Sequence, residues 1–328
     1  MQHHHSDSLI GAENLAYQRV HWCRFCRLFA TMKKNQKTVY SGIMNINVFE
    51  MPLDLGASRH GSDMGPSAIR LAGLKETLQD LNYDKVEFSS PIEISRQEQE
   101  EIGDSKARYL KPIVKACNLL AEKVESLVKN GDFPIVLGGD HSIALGTLAG
   151  LSSAYKDTNK RIGVLYVDAH GDFNDCTTSP SGNIHGMCMS ASCGYGIPDL
   201  TNLYFEGRKI DPHNVCYVGL RDIDVGEKRL MKEAGVTAFT MSDIDRKGFA
   251  KILNQIVLFF KTHADVVHVS FDMDVIDPMF APGVGIPLPG GLNYREALLL
   301  MEEMASTKLV KSVEIVEVNP VLDVRNQT

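Results

Sequence analysis

The sequence of 328 residues contains no run of about 18 consecutive apolar residues, the length that a membrane-spanning helix requires. We therefore expect neither a transmembrane segment nor a membrane partner. The chain also lacks an excess of basic residues, because its formal net charge is −7. Proteins that bind nucleic acids usually carry a basic surface, so a nucleic-acid partner is not expected either.

Cysteine is sparse: the seven cysteines form an odd number and are scattered along the chain. This distribution argues against a framework of disulfides and indicates reduced thiols in an intracellular compartment. Cys23 and Cys26 form a C-x-x-C pair, but no second pair lies nearby in the sequence. We therefore expect no metal or redox role for this pair.

Acidic residues are scarce in residues 1–43, where basic residues predominate. A mitochondrial presequence has this composition, but so does a disordered extension or the translation of an upstream start site. We favour a disordered extension or an upstream start site over a presequence, which predicts a cytoplasmic protein; a mitochondrial location follows only if the segment is a presequence. Residues 44–328 would then form the folded domain.

From residue 45 onwards, short apolar segments alternate with helical patterns, and neither an internal repeat nor a linker interrupts them. This alternation predicts one α/β domain, with a parallel sheet covered by helices on both faces. The predicted strands are residues 45–49, 134–137, 162–167, 214–220, 265–271 and 312–318. The predicted helices include residues 66–74, 106–129 and 294–306.

Polar residues follow three of these strands directly. Ligands of open parallel sheets bind beyond the carboxyl ends of the strands, so these segments are candidates for the functional site. If the chain stays extended there, Asp168, His170 and Asp172 point the same way, and so do Asp272 and Asp274. So many carboxylates at one sheet edge would repel one another, and a bound cation would relieve the repulsion.

The candidate ligands are oxygen and imidazole groups without a thiolate, a set that disfavours structural zinc and suits manganese or a similar ion. Six side chains suit two metals that share carboxylates, about 3.5–4 Å apart. One such motif alone could be a capped strand end or a magnesium motif, but three together favour a metal centre. The set is His141, Asp168, His170, Asp172, Asp272 and Asp274.

The same three segments resemble the signatures of the arginase family of ureohydrolases, and the resemblance is closest to bacterial-type arginases. The segments are Gly138–Ser142, Asp168–Asn174 and Ser270–Pro278. The likeness runs from about residue 45 almost to the end of the chain. Further similar segments are Asp54–Gly56, Gly61–Pro66, Ser179–Gly186, Gly219–Glu227, Gly290–Glu296 and Glu317–Pro320.

The resemblance implies a three-layer fold like that of arginases and deacetylases, and hydrolysis of L-arginine to L-ornithine and urea. It also implies two Mn²⁺ ions per subunit, with a hydroxide between them that attacks the guanidinium carbon. By the resemblance, His141, Asp168, Asp172 and Asp272 hold one ion. Asp168, His170, Asp272 and Asp274 hold the other, so that Asp168 and Asp272 bridge.

Three residues resemble the family's catalytic groups. Asp172 would give a proton to the amine that leaves as ornithine, and His185 resembles the proton shuttle, a role that suits the ordinary pKa of imidazole. Glu317 resembles the carboxylate that pairs with the guanidinium group. The alternatives are that His185 is a packed loop histidine and that Glu317 is a salt-bridged carboxylate.

Five further residues bear on the choice of substrate. By the resemblance, Asn174, Ser179 and Ser181 meet the α-carboxylate of arginine, whereas Asp224 and Glu227 meet its α-ammonium group. Agmatine has no carboxylate, and a site built to bind such a group rejects analogues that lack it. The resemblance therefore favours an arginase over an agmatinase or another guanidine hydrolase.

Two departures from the family pattern stand out. Val275 and Ile276 replace a common Gly-Leu pair, and we expect little effect because neither is a ligand. The family usually continues past Pro320 into a final helix, whereas only Val321–Thr328 follow here. We therefore expect a chain that is less stable or less well assembled than full-length members, with a non-catalytic truncated protein as an alternative. By resemblance, the family also implies a homo-oligomer, either a trimer or a hexamer.

Overall fold

A central parallel sheet organises the computed structural model, which describes residues 45–81, 83, 85–93, 95, 100 and 102–328. Residues 1–43, with the C-x-x-C pair, lie outside the described residues, so the predictions made for them stay predictions. The described strands are β1 (Asn45–Met51), β2 (Lys85–Phe88), β3 (Gly103–Asp104), β4 (Ala107–Arg108), β5 (Phe133–Gly138), β6 (Ile162–Val167), β7 (Val215–Leu220), β8 (Thr237–Thr240), β9 (Val266–Asp272) and β10 (Val310–Val316).

Eight of these strands form the main sheet, in the order β2-β1-β5-β10-β9-β6-β7-β8, and every pairing is parallel. The predicted parallel sheet is therefore confirmed. The sequence did not reveal the two edge strands, β2 and β8. Both are short and half exposed, so neither shows the continuous apolar run that marks a strand covered on both faces. Strands β3 and β4 form a separate two-stranded antiparallel hairpin.

Helices cover both faces of the sheet, as predicted. The described helices are α1 (Gly65–Leu71), α2 (Leu74–Asp80), α3 (Leu110–Lys129), α4 (Ala144–Tyr155), α5 (Cys188–Ser192), α6 (Pro198–Thr201), α7 (Val225–Ala234), α8 (Met241–Lys247), α9 (Phe249–His263) and α10 (Tyr294–Ser306). Side chains of α1, α2, α8, α9 and α10 pack in one hydrophobic cluster, and those of α3 to α7 pack in the other. Among the described residues, none of the helices combines the length and apolar character needed to cross a bilayer.

The limits of two predicted helices differ from the structure. The helix expected over residues 66–74 ends at Leu71, because Gly73 adopts a left-handed φ of 102° and a second helix, α2, begins after it. The helix expected over 106–129 begins only at Leu110, since the hairpin of β3 and β4 occupies the preceding residues. In contrast, α10 spans the predicted residues, and the side chain of Asn293 caps its first turn.

The last described residues form turns against the loop that follows β9. The backbone N–H of Gly283 donates to Thr328 Oγ1 at 2.7 Å, and the Gln327 side chain donates to the carbonyl of Phe280 at 3.2 Å. The lower stability or weaker assembly expected from the short C-terminus stays a prediction.

Candidate metal centre and active site

The candidate site lies at the carboxyl ends of β5, β10, β9 and β6, which are adjacent in the sheet. Parallel strands present their carboxyl ends at one edge, so residues that are far apart in sequence meet there. His141 follows β5, Glu317 follows β10, Asp272 ends β9 and Asp168 follows β6. The three sequence segments singled out for metal binding are thus brought together.

A first cluster surrounds the imidazole of His141. Its Nδ1 lies 3.0 Å from Asp168 Oδ2 and 3.2 Å from Oδ2 of both Asp172 and Asp272. All four side chains are buried. One nitrogen therefore faces three carboxylate oxygens in a space that solvent hardly reaches.

A second cluster surrounds His170 and shares one carboxylate with the first. His170 Nδ1 lies 2.9 Å from Asp274 Oδ2 and 3.5 Å from Asp168 Oδ1. Asp168 therefore directs one oxygen to each histidine. The two clusters hold all six residues that the sequence suggested as metal ligands.

The candidate ligands converge through turns of the backbone and not through the extended chain expected from the sequence. Asp172 has a left-handed φ of 49°, so it does not continue the alternation of a strand. Asp272 ends β9, and its Oδ1 accepts the backbone N–H of Asp274 at 2.7 Å, which caps the 3-10 turn Met273–Val275. In the same way, Asp168 Oδ1 accepts the backbone N–H of His170 at 2.6 Å. The assumed geometry was therefore wrong, although the residues do meet.

The electrostatics of the clusters favour a bound cation. Burial, and then the charge of Asp168, raises the pKa of Asp172 to about 6, and burial together with Asp274 and Asp168 raises the pKa of Asp272 well above its usual range. Burial opposes the charged form of His141 and His170, yet the surrounding carboxylates raise the pKa of both. Positive charge is thus favoured at this point of the protein.

The arrangement of donor atoms fits divalent metal ions. His141, Asp168 and Asp272 form one group of potential ligands, and Asp168, His170 and Asp274 form another. Ligands about 2.1–2.4 Å from one octahedral ion lie roughly 3.0–3.4 Å from their neighbours, and the nitrogen–oxygen distances of 2.9–3.5 Å come close to this spacing. Asp168 Oδ2 is buried and makes no hydrogen bond of good geometry among the described residues, although His141 Nδ1 lies 3.0 Å away, as expected of two atoms that face one cation.

Two further residues support the clusters, and neither is among the residues predicted from the sequence. The Tyr166 hydroxyl donates to Asp172 Oδ2 at 2.7 Å, and its ring stacks on His141 with centroids 4.5 Å apart. The guanidinium group of Arg221 donates to the carbonyl of Asp274 at 2.6 Å. Tyr166 lies inside an apolar strand and gave no sign of such a role, whereas Arg221 lies within a segment that resembles the family.

A cleft opens above the clusters. Every residue predicted to catalyse the reaction or bind the substrate lines it, together with His170, Asp272 and Asp274 from the metal clusters. The predicted residues are Asp172, Asn174, Ser179, Ser181, His185, Asp224, Glu227 and Glu317. The cleft therefore gathers in one place groups that are spread over 146 positions of the sequence, from 172 to 317.

His185 and Glu317 form a pair in this cleft. His185 Nδ1 lies 3.2 Å from Glu317 Oε1, and the same oxygen accepts the backbone N–H of His141 at 3.0 Å. Burial lowers the pKa of His185, but the hydrogen bond and charge of Glu317 outweigh it and raise the pKa to about 9. Glu317 itself has a left-handed φ of 63°, a strained conformation that points to a constrained position. Its carboxylate thus touches both the histidine and the segment that holds His141.

Glu227 and Asp224 share the start of helix α7. Glu227 accepts backbone N–H groups from Phe173 at 2.8 Å and Asp224 at 3.1 Å, and burial raises its pKa to about 7. Asn174 Nδ2 donates to Asp224 Oδ2 at 3.1 Å, while the buried Asn174 Oδ1 has no partner in the described part of the chain. Glu227 therefore ties the loop after β6 to α7, in addition to facing the cleft.

The loop with Ser179 and Ser181 is fixed by backbone contacts. Ser179 Oγ accepts the N–H of Gly182 at 3.0 Å, and Ser181 Oγ accepts that of Asn183 at 3.2 Å, so each hydroxyl hydrogen remains available. The hairpin of β3 and β4 supports this loop from outside the cleft, because the Arg108 N–H donates to the Gly182 carbonyl at 2.9 Å.

Changing Gly182 to alanine should displace this loop. Gly182 has a left-handed φ of 72°, and a Cβ atom there would lie 1.9 Å from the backbone oxygen of Ser105 in the hairpin. We expect a raised KM for the substrate with little change in metal binding, because the ligands lie on other segments. Gly103→Ala is the matched control, since Gly103 also has a left-handed φ, of 69°, but has nothing near its Cβ position. Equal KM values for the two variants would contradict the prediction.

Comparison with known proteins agrees with the fold. The model of the arginase family matches residues 44–328. The arginase of Bacillus caldovelox is 48% identical over 284 residues, which cover 86% of this chain and 93% of the relative, and the arginase of Bacillus subtilis is 46% identical over 283 residues, with the same coverage. The solved Bacillus caldovelox arginase has a TM-score of 0.82 at 47% identity and covers 87% of this chain and 94% of its own. An Entamoeba histolytica arginase in complex with L-ornithine has a TM-score of 0.79 at 33% identity and covers 87% and 95%, respectively. The chain belongs to the arginase family.

Proposed function

We propose that this protein hydrolyses L-arginine to L-ornithine and urea and that it uses two Mn²⁺ ions to do so. The observation that carries the proposal is the pair of histidine–carboxylate clusters that share Asp168 at the floor of a cleft. Membership of the arginase family supports the reaction, and a relative of the same fold was solved with the amino-acid product, L-ornithine.

The side chains fit the proposed metals by chemistry as well as by position. We assign one ion to His141, Asp168, Asp172 and Asp272, and the other to Asp168, His170, Asp272 and Asp274. Carboxylate and imidazole groups without a thiolate suit manganese. When bound, such a pair of ions makes a water acidic enough to react near neutral pH.

The remaining catalytic steps fall to three residues of the cleft. Glu317 accepts hydrogen bonds from the guanidinium group and orients it above the clusters, a task for which a carboxylate matches the planar donor. Asp172 gives a proton to the amine of the departing ornithine. His185, which lies against Glu317, moves protons between the cleft and solvent.

The amino-acid end of the substrate would lie at the mouth of the cleft. Ser179 and Ser181 have hydroxyl hydrogens to spare, so they can donate to an α-carboxylate, and Asn174 stands beside them. Asp224 and Glu227 bring negative charge for the α-ammonium group. The side chains of the cleft therefore fit an amino acid better than a simple amine.

The decisive experiment compares urea release from L-arginine and from agmatine by the Mn²⁺-loaded protein. Because agmatine lacks the carboxylate that these donors would meet, and a hydrogen bond to a charged group is worth about 1.5–3 kcal/mol, we expect kcat/KM for arginine to exceed that for agmatine by about 10²-fold or more. Ser181→Ala should lower kcat/KM for arginine but not for agmatine, so that the ratio of the two becomes smaller. A preference for agmatine would identify an agmatinase, and no urea from either compound would mean a protein without catalysis.

We also propose that the chain assembles as a homo-oligomer, a trimer or a hexamer, as its resemblance to the family implies. Apolar side chains near the C-terminal turns support an interface, since Met279, Phe280, Val321 and Leu322 are all exposed. Light scattering of the purified protein would give the mass, and a monomer at micromolar concentration would contradict the proposal.

A further inference from the structure

A chain of buried polar groups runs from the metal centre into the middle of the sheet. His141 Nε2 lies 2.7 Å from Ser270 Oγ, and Ser270 Oγ donates to Glu314 Oε1 at 2.6 Å. His141, Ser270 and Glu314 are all fully buried. Ser270 and Glu314 face each other across the neighbouring strands β9 and β10. We call these three residues the His141–Ser270–Glu314 chain.

The direction of the hydrogen bonds in this chain follows from proton counting. A carboxylate can only accept, so the single hydroxyl proton of Ser270 goes to Glu314. Ser270 Oγ can then only accept from His141, and the proton of the neutral imidazole must sit on Nε2. The lone pair is left on Nδ1, which faces Asp168, Asp172 and Asp272.

Glu314 destabilises the folded state, which points to a role beyond packing. Its Oε2 is buried without a hydrogen bond among the described residues, and such an oxygen destabilises a folded protein. Burial raises the pKa of Glu314, but the nearby His268, whose Nε2 lies 3.4 Å from Oε1, and the hydrogen bonds outweigh it and keep the pKa below its usual value. The group therefore stays ionised, as the proton count requires.

We propose that Glu314 is a positioning residue that acts through Ser270 to hold His141 in the tautomer whose Nδ1 can bind a metal ion. Without the carboxylate, Ser270 could turn its proton towards Nε2, and His141 would then carry its own proton on Nδ1, where the ion should bind. Groups that fix the ring of a metal-binding histidine in this way commonly tune metal affinity. The proposal rests on the proposed function, because it takes His141 as a metal ligand.

The test measures binding of Mn²⁺ alone, from the electron paramagnetic resonance signal of the free ion, to the wild type, Glu314→Gln, Ser270→Ala and the double variant. We expect each single variant to bind one of two ions about 10- to 100-fold more weakly. The double variant should lose no more than either single one, because both act along one path. Ser192→Ala is the matched control: Ser192 is a buried serine whose Oγ donates to the carbonyl of Cys188 at 2.8 Å and not to the His141–Ser270–Glu314 chain.

The outcomes separate this proposal from the function on which it rests. If the wild type binds no Mn²⁺, the proposed metal centre itself is wrong. If the wild type binds two ions and Ser270→Ala binds them equally tightly, only the role of the His141–Ser270–Glu314 chain is refuted. This outcome can be read even if Glu314→Gln fails to fold. Equal losses of Mn²⁺ affinity in Ser192→Ala, or losses that add in the double variant, would likewise show that the chain has only a structural role.

Discussion

Replacing Asp272 by asparagine should abolish most urea production, lowering kcat by at least about 10³-fold, because both proposed ions lose a shared ligand and the reacting water loses its acidity. Asp272 Oδ2 faces the His141 Nδ1 at 3.2 Å. Asparagine can still cap the turn that carries Asp274, so the effect reports on charge and metal binding. Urea release and bound Mn²⁺ measured on the same sample would check it.

A control for this variant lies at the other end of the same strand. Asp265 directly precedes β9, is exposed, and pairs with Arg161 at 3.1 Å. Exposed ion pairs contribute at most about 1 kcal/mol, so Asp265→Asn should keep its activity and its metal. If Asp272→Asn were as active as Asp265→Asn, the assignment of Asp272 as a metal ligand would be wrong.

The same variant should affect stability in opposite directions with and without metal. In the metal-free protein, Asp272 is buried beside Asp168 and Asp274, and this environment disfavours its charge. Its neutral replacement removes that repulsion, so the metal-free variant should melt at the same or a higher temperature than the wild type. With saturating Mn²⁺ the order should reverse, since a ligand that binds the folded state stabilises it more, the more tightly it binds.

The second large effect is expected for Glu317→Gln. The glutamine side chain can still accept the backbone N–H of His141, but it lacks the charge that pairs with the guanidinium group. Loss of one partner of a buried charge pair costs about 2–5 kcal/mol, or roughly 30- to 5,000-fold in kcat/KM for arginine. Steady-state kinetics would measure the loss, and the bound Mn²⁺ should stay close to the wild-type amount.

Glu303→Gln, on the exposed side of α10, provides the comparison. This variant makes the same chemical change at a surface position away from the cleft, so its kcat and KM should match those of the wild type. Should Glu317→Gln also keep the wild-type kcat/KM, then Glu317 would serve only to hold the segment around His141, and another group would have to bind the guanidinium.

The sequence was sufficient to predict the sheet and the edge that holds the candidate site. The central strands are continuously apolar, and polar residues follow them directly. The pattern fails for β2 and β8, since edge strands that are half exposed lack an uninterrupted apolar run. The pattern also predicted convergence of the ligands for the wrong reason. Side chains such as Asp272 cap the turns that follow them. These turns bring the candidate ligands together without the extended backbone that was expected.

The supporting residues could not be found in this way. Ser270 and Glu314 are 44 positions apart and become neighbours only because β10 lies beside β9. The order of strands in a parallel sheet depends on how the crossovers pack, which periodicity along one segment does not encode. Tyr166 was similarly hidden, because an aromatic residue inside an apolar strand resembles any other core residue until its hydroxyl is placed against Asp172.

The hairpin of β3 and β4 contacts the loop that carries the serines proposed to recognise the substrate. Its Ser105 and Arg108 do not line the cleft, yet they press against and hydrogen-bond to Gly182, next to the serines proposed to recognise the substrate. The conformation of this hairpin therefore affects the positions of the Ser179 and Ser181 hydroxyl groups. Natural variation in residues 103–108 could shift the discrimination between amino acids and amines while every catalytic side chain is preserved.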